Sequence, residues 1–300
     1  MPESRKPLFV SALEQAEQQF EAAENVGYES RSLNLYYGLS QAGRAVSAAL
    51  TPDDPKVSPE VRKHGLRVLR LDDVKADGLL ETEVRGEGGS GTSFGRLAWL
   101  LDSDPLEAAL PLSAAWNMIL EVPRGSLLPG HPVPLSVSPA YDPAAPLLRS
   151  KHQFTIPLSP QAAVDGAASM KLLYPDLAPG LLCTTTGNGQ HIDGSSGERT
   201  DLALFELEDF ESQLRDYRQS TVLMPACGPG RKPLDPLLAW WVLLYALSMV
   251  TRYKPVAWTQ AVDVNTSRQA VPLETVLSKA SEALPDMILS LLTKPLRPLG

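Results

Sequence analysis

The spacing of apolar positions divides the chain into helical ends and an irregular middle. Apolar residues at helical spacing predict a first helix over residues 8–25. Ser11 and Glu14 have capping-box spacing, Pro7 permits a start one turn earlier, and Gly27 supplies a stop. A second helix is predicted over residues 30–50, ending before Thr51-Pro52. On it Gly38, Ala42, Ala45 and Ala49 form a stripe of small residues, which lets another helix approach closely. Residues 64–71 and 79–85 read as two short strands joined by a turn at Asp77-Gly78. A glycine-rich loop follows over residues 86–91, then a helix over residues 94–101. Asp104-Pro105 has the cap-then-proline signature of a helix start, predicting a helix to Met118.

From residue 123 to 160 proline is frequent enough to exclude helix and to confine strands to edges, around VPLSV and HQFTIPL. LLCTTTG is strand-like, GNGQHIDGSSGERT is a polar loop, and residues 201–217 open as a strand and continue as an acidic helix. Asp235-Pro236 starts a tryptophan-rich helix to Tyr253, Pro255 begins a shorter one, and residues 272–292 make the last, with a bend expected at Pro285. Helices, a β-containing middle, then helices again give an α+β fold. The expected division is an N-terminal helical segment (1–60), a β-containing, proline-rich middle (61–205), and C-terminal helices packing on the N-terminal ones (206–300).

Composition narrows the function classes. A chain that is 43% hydrophobic and 21% charged is neither disordered throughout nor a fibrous repeat. A net charge of −8 gives a whole-molecule field that repels phosphate, so any nucleic-acid contact has to be local. The densest basic cluster is Arg62, Lys63, Arg67 and Arg70. Two cysteines, Cys183 and Cys227, make no disulfide framework, and the scattered histidines give no zinc spacing. The longest apolar run, residues 237–250, is shorter than the roughly 20 residues that span a bilayer. With no apolar signal core at the N-terminus, the expected location is cytoplasmic, and the alanine-, proline- and arginine-heavy usage is that of a high-GC bacterial genome.

Candidate chemistry is sparse. Gly86, Gly88 and Gly91 match a dinucleotide-binding loop, but Thr92 stands where a phosphate-gripping lysine belongs in the related P-loop, and the strand before it is too polar for a buried central strand. Asp193 and Glu198 are acid/base candidates in the polar loop, and Arg124 and His131 have the spacing of an arginine–histidine pair. The better candidate is a polar stripe on two helices. Tyr37, Gln41 and Arg44 share one face of the second helix. Trp241, Tyr245, Ser248 and Arg252 share one face of the tryptophan-rich helix. An arginine on a closely packed helix needs a partner, because burying a lone charge is costly. The stripe is therefore either a hydrogen-bond network between helices or an anion site, with Tyr37, Gln41, Arg44, Ser248 and Arg252 as candidate ligand residues.

Five segments carry a family resemblance: SLNLYYGLSQAGRAVSAAL (residues 32–50), KHGLRVL (63–69), GTSFGRLAWLL (91–101), PLLAWWVLLYALSMVTRYKPVAWTQAVD (236–263) and AVPLETVL (270–277). Together they resemble the bacterial YaaC-like family, for which no activity is settled, so the resemblance implies a fold and not a chemistry. The helix carrying Tyr36-Tyr37 is similar, more distantly, to HEPN-type helical domains. That likeness implies a helical bundle at the chain ends, and either a metal-independent ribonuclease or an inert scaffold. The combined expectation is a non-enzymatic binding or interaction protein. Its partner is a small anionic ligand, RNA, a second protein or another copy of the chain, with no cofactor, metal or membrane.

Overall fold

The computed structural model describes residues 1–54, 56–122, 133–139, 151–154, 174, 182–183, 189–190, 196–197, 203–206, 214–218 and 220–293. The chain forms two units, Met1–Pro132 with Leu234–Gly300, and Val133–Pro233, so the second is a single insertion in the sequence of the first.

In the first unit, helix α1 (Lys6–Asn25) carries Pro7 in its first turn and folds back across Val26-Gly27 onto α2 (Tyr28–Leu50). Helix α2 is the hub. It packs against α1, against α3 (Ser93–Leu100), and against two C-terminal helices, α5 (Pro236–Tyr253) and α7 (Ala270–Thr293). The small-residue stripe serves this role: Gly38, Ala42 and Ala45 are buried, and Gly38 lies directly against the Phe20 ring of α1. The chain ends therefore pack together. Ser32 Oγ and Thr251 Oγ1 share a 2.6 Å hydrogen bond between α2 and α5, and Tyr28 Oη meets Ser278 Oγ of α7 at 3.0 Å.

The apolar run of α5 is core. Trp240 and Trp241 are fully buried, and no helix among the described residues is long and apolar enough to cross a membrane. Asp235 caps α5 as its sequence predicts, its carboxylate accepting the Leu237 N–H at 2.9 Å. The short α6 (Pro255–Ala261) and α4 (Leu112–Asn117) complete the helices of this unit. Helix α7 runs through Pro285 without interruption.

A small antiparallel sheet, β1 (Leu66–Leu69), β2 (Glu83–Gly86) and β3 (Leu110–Pro111), belongs to the same unit, with Val68 opposite Val84 and Glu83 opposite Pro111. The helix expected from Asp104-Pro105 does not form there. Asp104 Oδ1 accepts the N–H of Leu106 at 2.7 Å, but Leu106 takes a left-handed φ of 57° and its carbonyl accepts the Gly86 N–H at 2.8 Å. Extension of the β2 edge wins over helix nucleation, and the helix begins at Leu112.

The second unit holds a six-stranded antiparallel sheet. Its strands are β4 (Leu135–Pro139), β5 (Lys151–Phe154), β6 (Leu182–Cys183), β9 (Ala203–Glu206), β10 (Arg215–Tyr217) and β11 (Ser220–Leu223), in the order β10-β11-β4-β5-β9-β6. A separate ribbon pairs β7 (Gly189–Gln190) with β8 (Ser196–Gly197). Cys227 is buried. Residues 215–217 are strand and not the end of an acidic helix. The Arg124–His131 pair, Asp193 and Glu198 lie outside the described residues. The fold is mixed α+β, with seven helices and small antiparallel sheets among the described residues.

Candidate functional site

The seam between α2 and α5 is built around Tyr36, which is only 3% exposed. Its ring meets Trp241 edge-on at 6.3 Å, Tyr245 at 5.4 Å, His64 at 5.5 Å and Tyr37 at 6.1 Å between centroids. Burial, reinforced by neighbouring Tyr245, pushes the Tyr36 phenol far above the ordinary tyrosine range, so it keeps its proton. The hydroxyl lies 2.8 Å from His64 Nδ1. Burial and then the charge of Arg44 lower the pKa of His64 from its ordinary value, although the residue as a whole is exposed at the surface. Tyr245 donates to the Leu66 carbonyl at 2.7 Å and so ties α5 to β1; its pKa rises to about 12, mainly through burial.

His64 is placed by its backbone as firmly as by its ring. It sits between Lys63 (φ 67°) and Gly65 (φ 84°), both left-handed. The carbonyls of Lys63 and His64 accept the N–H groups of Ser93 and Phe94 at 3.2 and 3.1 Å. A Cβ on Gly65 would stand 2.2 Å from Thr92 Oγ1, so both space and φ require glycine. These contacts explain the glycine-rich segment. Thr92 caps α3, accepting from the Gly95 N–H at 3.3 Å and donating to the Gly89 carbonyl at 2.8 Å, and Arg96 N–H bonds the Thr92 carbonyl. The first-turn donors of α3, which in a nucleotide-binding loop would face phosphate, are all taken from within the chain. The loop is a brace that holds the Lys63–Gly65 corner.

The arginines separate into two kinds. Arg5 and Arg96 are 7% and 5% exposed and donate to main-chain carbonyls. Arg5 bonds the carbonyls of Thr51 and Pro52, and Arg96 those of Ser90 and Ser58 at 2.9 and 2.8 Å. They are structural clamps on the C-terminal end of α2, where a cation also suits the helix dipole.

Arg44 and Arg252 differ. Arg44 is half-buried, its Nε is shielded from solvent without a hydrogen-bond partner, and it makes no ion pair among the described residues. Arg252 is exposed and likewise has no acidic partner, its guanidinium lying 5.4 Å from the Tyr37 ring centroid and 5.8 Å from that of Tyr253. The charges of both arginines act on the Tyr36 hydroxyl.

Of the other candidates from the sequence, Tyr37 and Gln41 are half-buried on the same helix face as Arg44. Ser248 is 4% exposed and donates to the Tyr245 carbonyl of its own helix at 2.7 Å, so its hydroxyl is already committed. The basic cluster at the sheet edge is partly neutralised by exposed ion pairs, Arg67 with Glu87 at 3.6 Å and Arg70 with Glu83 at 3.4 Å. His64 escapes a reading of the sequence alone because its partner is 28 positions away. The accessible signal is the glycine that follows it.

These features define a mixed α+β protein whose terminal helices form an aromatic seam bordered by two arginines that have no acidic partner among the described residues. The model of the YaaC-like protein family matches residues 3–292, and the chain belongs to that family. No curated protein and no solved structure matches it.

Proposed function

We propose that the protein is a binding protein whose helical seam takes a small anion or the anionic part of a nucleotide-type ligand, held by Arg44 and Arg252 with Tyr37 and Gln41 beside them. The observation that carries this reading is the contrast among the arginines. Arg5 and Arg96 are satisfied by carbonyls, whereas Arg44 keeps a shielded Nε–H with nothing to donate to. An unpaired, partly desolvated cation is costly in the free protein, and an anionic ligand offsets that cost. The test is a thermal-shift series with inorganic phosphate, pyrophosphate and nucleotides on the wild type and Arg44→Ala. Stabilisation of the wild type alone supports the reading; a flat response of folded wild type refutes it.

A second reading is that the same seam, as a HEPN-like bundle, acts on an RNA phosphodiester without a metal. It is favoured by the exposed imidazole of His64 within the field of Arg44. Labelled RNA that stays intact with excess protein, with and without metal, removes it.

A further inference from the structure

We infer that His64 is a third ligand of this anion site, held by Tyr36 as the tautomer whose N–H is on Nε2, so that the site offers donors only and selects an oxyanion that turns bare, unprotonated oxygens toward it. This inference rests on the anion-binding reading above and adds to it a residue, a protonation state and a ligand class.

The Tyr36 hydroxyl fixes the tautomer. A phenol that is 3% exposed and ringed by Trp241, Tyr245 and His64 keeps its proton, and a buried O–H has to donate. Among the described residues the acceptor within its reach is His64 Nδ1, at 2.8 Å, since Trp241 beside the hydroxyl offers only a donor. A donating Tyr36 requires Nδ1 to be the bare, accepting nitrogen, and a neutral imidazole then carries its proton on Nε2. The groups facing the imidazole are consistent with a neutral ring: Tyr36 and Arg44 from α2, and Tyr245 from α5, with no carboxylate to favour the imidazolium. The ring cannot drift, because Lys63 and Gly65 fix the backbone on either side and Phe94 N–H holds the His64 carbonyl.

With the inner nitrogen anchored, Nε2–H is the free polar end of an exposed side chain within the field of Arg44, and Arg44 and Arg252 both act on the Tyr36 hydroxyl beneath it. Guanidinium groups donate and cannot accept, and in this tautomer neither can Nε2. A ligand that still carries a proton on the oxygen facing these groups brings two donors together. A sulfate presents acceptors alone, and a phosphate dianion can turn three bare oxygens toward these groups and its one hydroxyl away. The site therefore suits oxyanions that present bare oxygens, sulfate and phosphate groups among them, free or as the terminal group of a larger molecule.

The experiment uses the full chain. Nitrogen-15 NMR of histidine-labelled protein reads the tautomer, and calorimetry with sulfate and with inorganic phosphate reads the site in wild type, His64→Ala, His64→Gln, Tyr36→Phe and Arg44→Gln. The expected spectrum shows an unprotonated Nδ1 and a protonated Nε2 for His64, and mixing of the tautomers in Tyr36→Phe. His64→Ala is expected to weaken sulfate binding about 10- to 100-fold, the range for a hydrogen bond to a charged group. His64→Gln restores part of that loss, because its amide donor reaches near the position of Nε2. Phosphate affinity rises with pH on the alkaline side of neutrality as the dianion fills, while sulfate affinity does not.

A protonated Nδ1 in the wild type overturns the inference. So does His64→Ala binding sulfate as tightly as wild type while Arg44→Gln does not, an outcome that leaves the two-arginine site standing. Wild type that binds neither ion overturns both readings.

Discussion

Replacement of Gly43 by alanine tests how the hub helix is packed. Gly43 faces α5 and α3 from the middle of α2. A Cβ there would lie 2.4 and 2.6 Å from two Trp241 ring atoms and 3.0 Å from Leu97 Cδ1. Carbon atoms rest about 3.5–4.0 Å apart, so the indole has to retreat by about 1 Å. It has nowhere to go, since Trp241 and Leu97 are both fully buried and the indole also abuts Tyr36. Two terms of opposite sign compete. Alanine gains about 1 kcal/mol over glycine in a helix interior. Overpacking costs about 1–3 kcal/mol and sometimes more. With both neighbours immobile, the upper part of that range applies, and Gly43→Ala should lose about 2 kcal/mol, a fall in Tm of roughly 4–8 °C for a unit of this size. Gly38→Ala is the control. Its Cβ would come within 2.8 Å of the Phe20 ring, but Phe20 is only half-buried on α1 and can swing outward. The helix gain then offsets the contact, and the variant should stay within about 1 kcal/mol of wild type. Thermal and urea melts of the two variants make the comparison. Gly43→Ala at or above wild-type stability, or Gly38→Ala the worse of the pair, would refute this packing.

Three further outcomes follow from the same coordinates. Tyr245 titrates at about 12 in the folded chain against 10.0 for an ordinary tyrosine, so the unfolded chain ionises first and stability falls as pH rises from about 10 to about 12; Tyr245 contributes roughly 2–3 kcal/mol of that loss, on top of the share of Tyr36, so urea melts of Tyr245→Phe across the window should lose that much less than wild type. Removing the buried guanidinium in Arg96→Ala orphans the carbonyls of Ser58 and Ser90 and should cost about 2–4 kcal/mol by the same melts. Arg44→Met, by contrast, removes a shielded donor with no partner and should raise the Tm of the ligand-free protein while abolishing its stabilisation by phosphate, a trade expected of a residue kept for binding.

Local chemistry was legible in the sequence, and chemistry assembled across the chain was not. Asp235-Pro236 announces α5 because cap, proline and apolar run act within one turn. Asp104-Pro105 carries the same signature and fails, since the Leu106 carbonyl is claimed by Gly86 from a strand that no local pattern reveals. The glycine-rich loop was recognisable as special, but its purpose lies in the Lys63 and His64 carbonyls it braces, about 30 residues upstream. Arg44 could be singled out because a charge within an alanine-rich helix conflicts with burial. His64 could not, because an exposed histidine in a loop conflicts with nothing until Tyr36 is seen beneath it. Ser248 was chosen by periodicity alone, which reports the face of a helix and not whether a hydroxyl is already bonded to its own main chain.

An anion site in the seam requires Arg44 and Arg252 to serve one ligand. Calorimetric titration of sulfate into wild type, Arg44→Gln and Arg252→Gln measures this directly. Each single variant should bind about 10- to 100-fold more weakly than wild type. A variant that keeps wild-type affinity at either position would show that the two guanidinium groups do not share an anion.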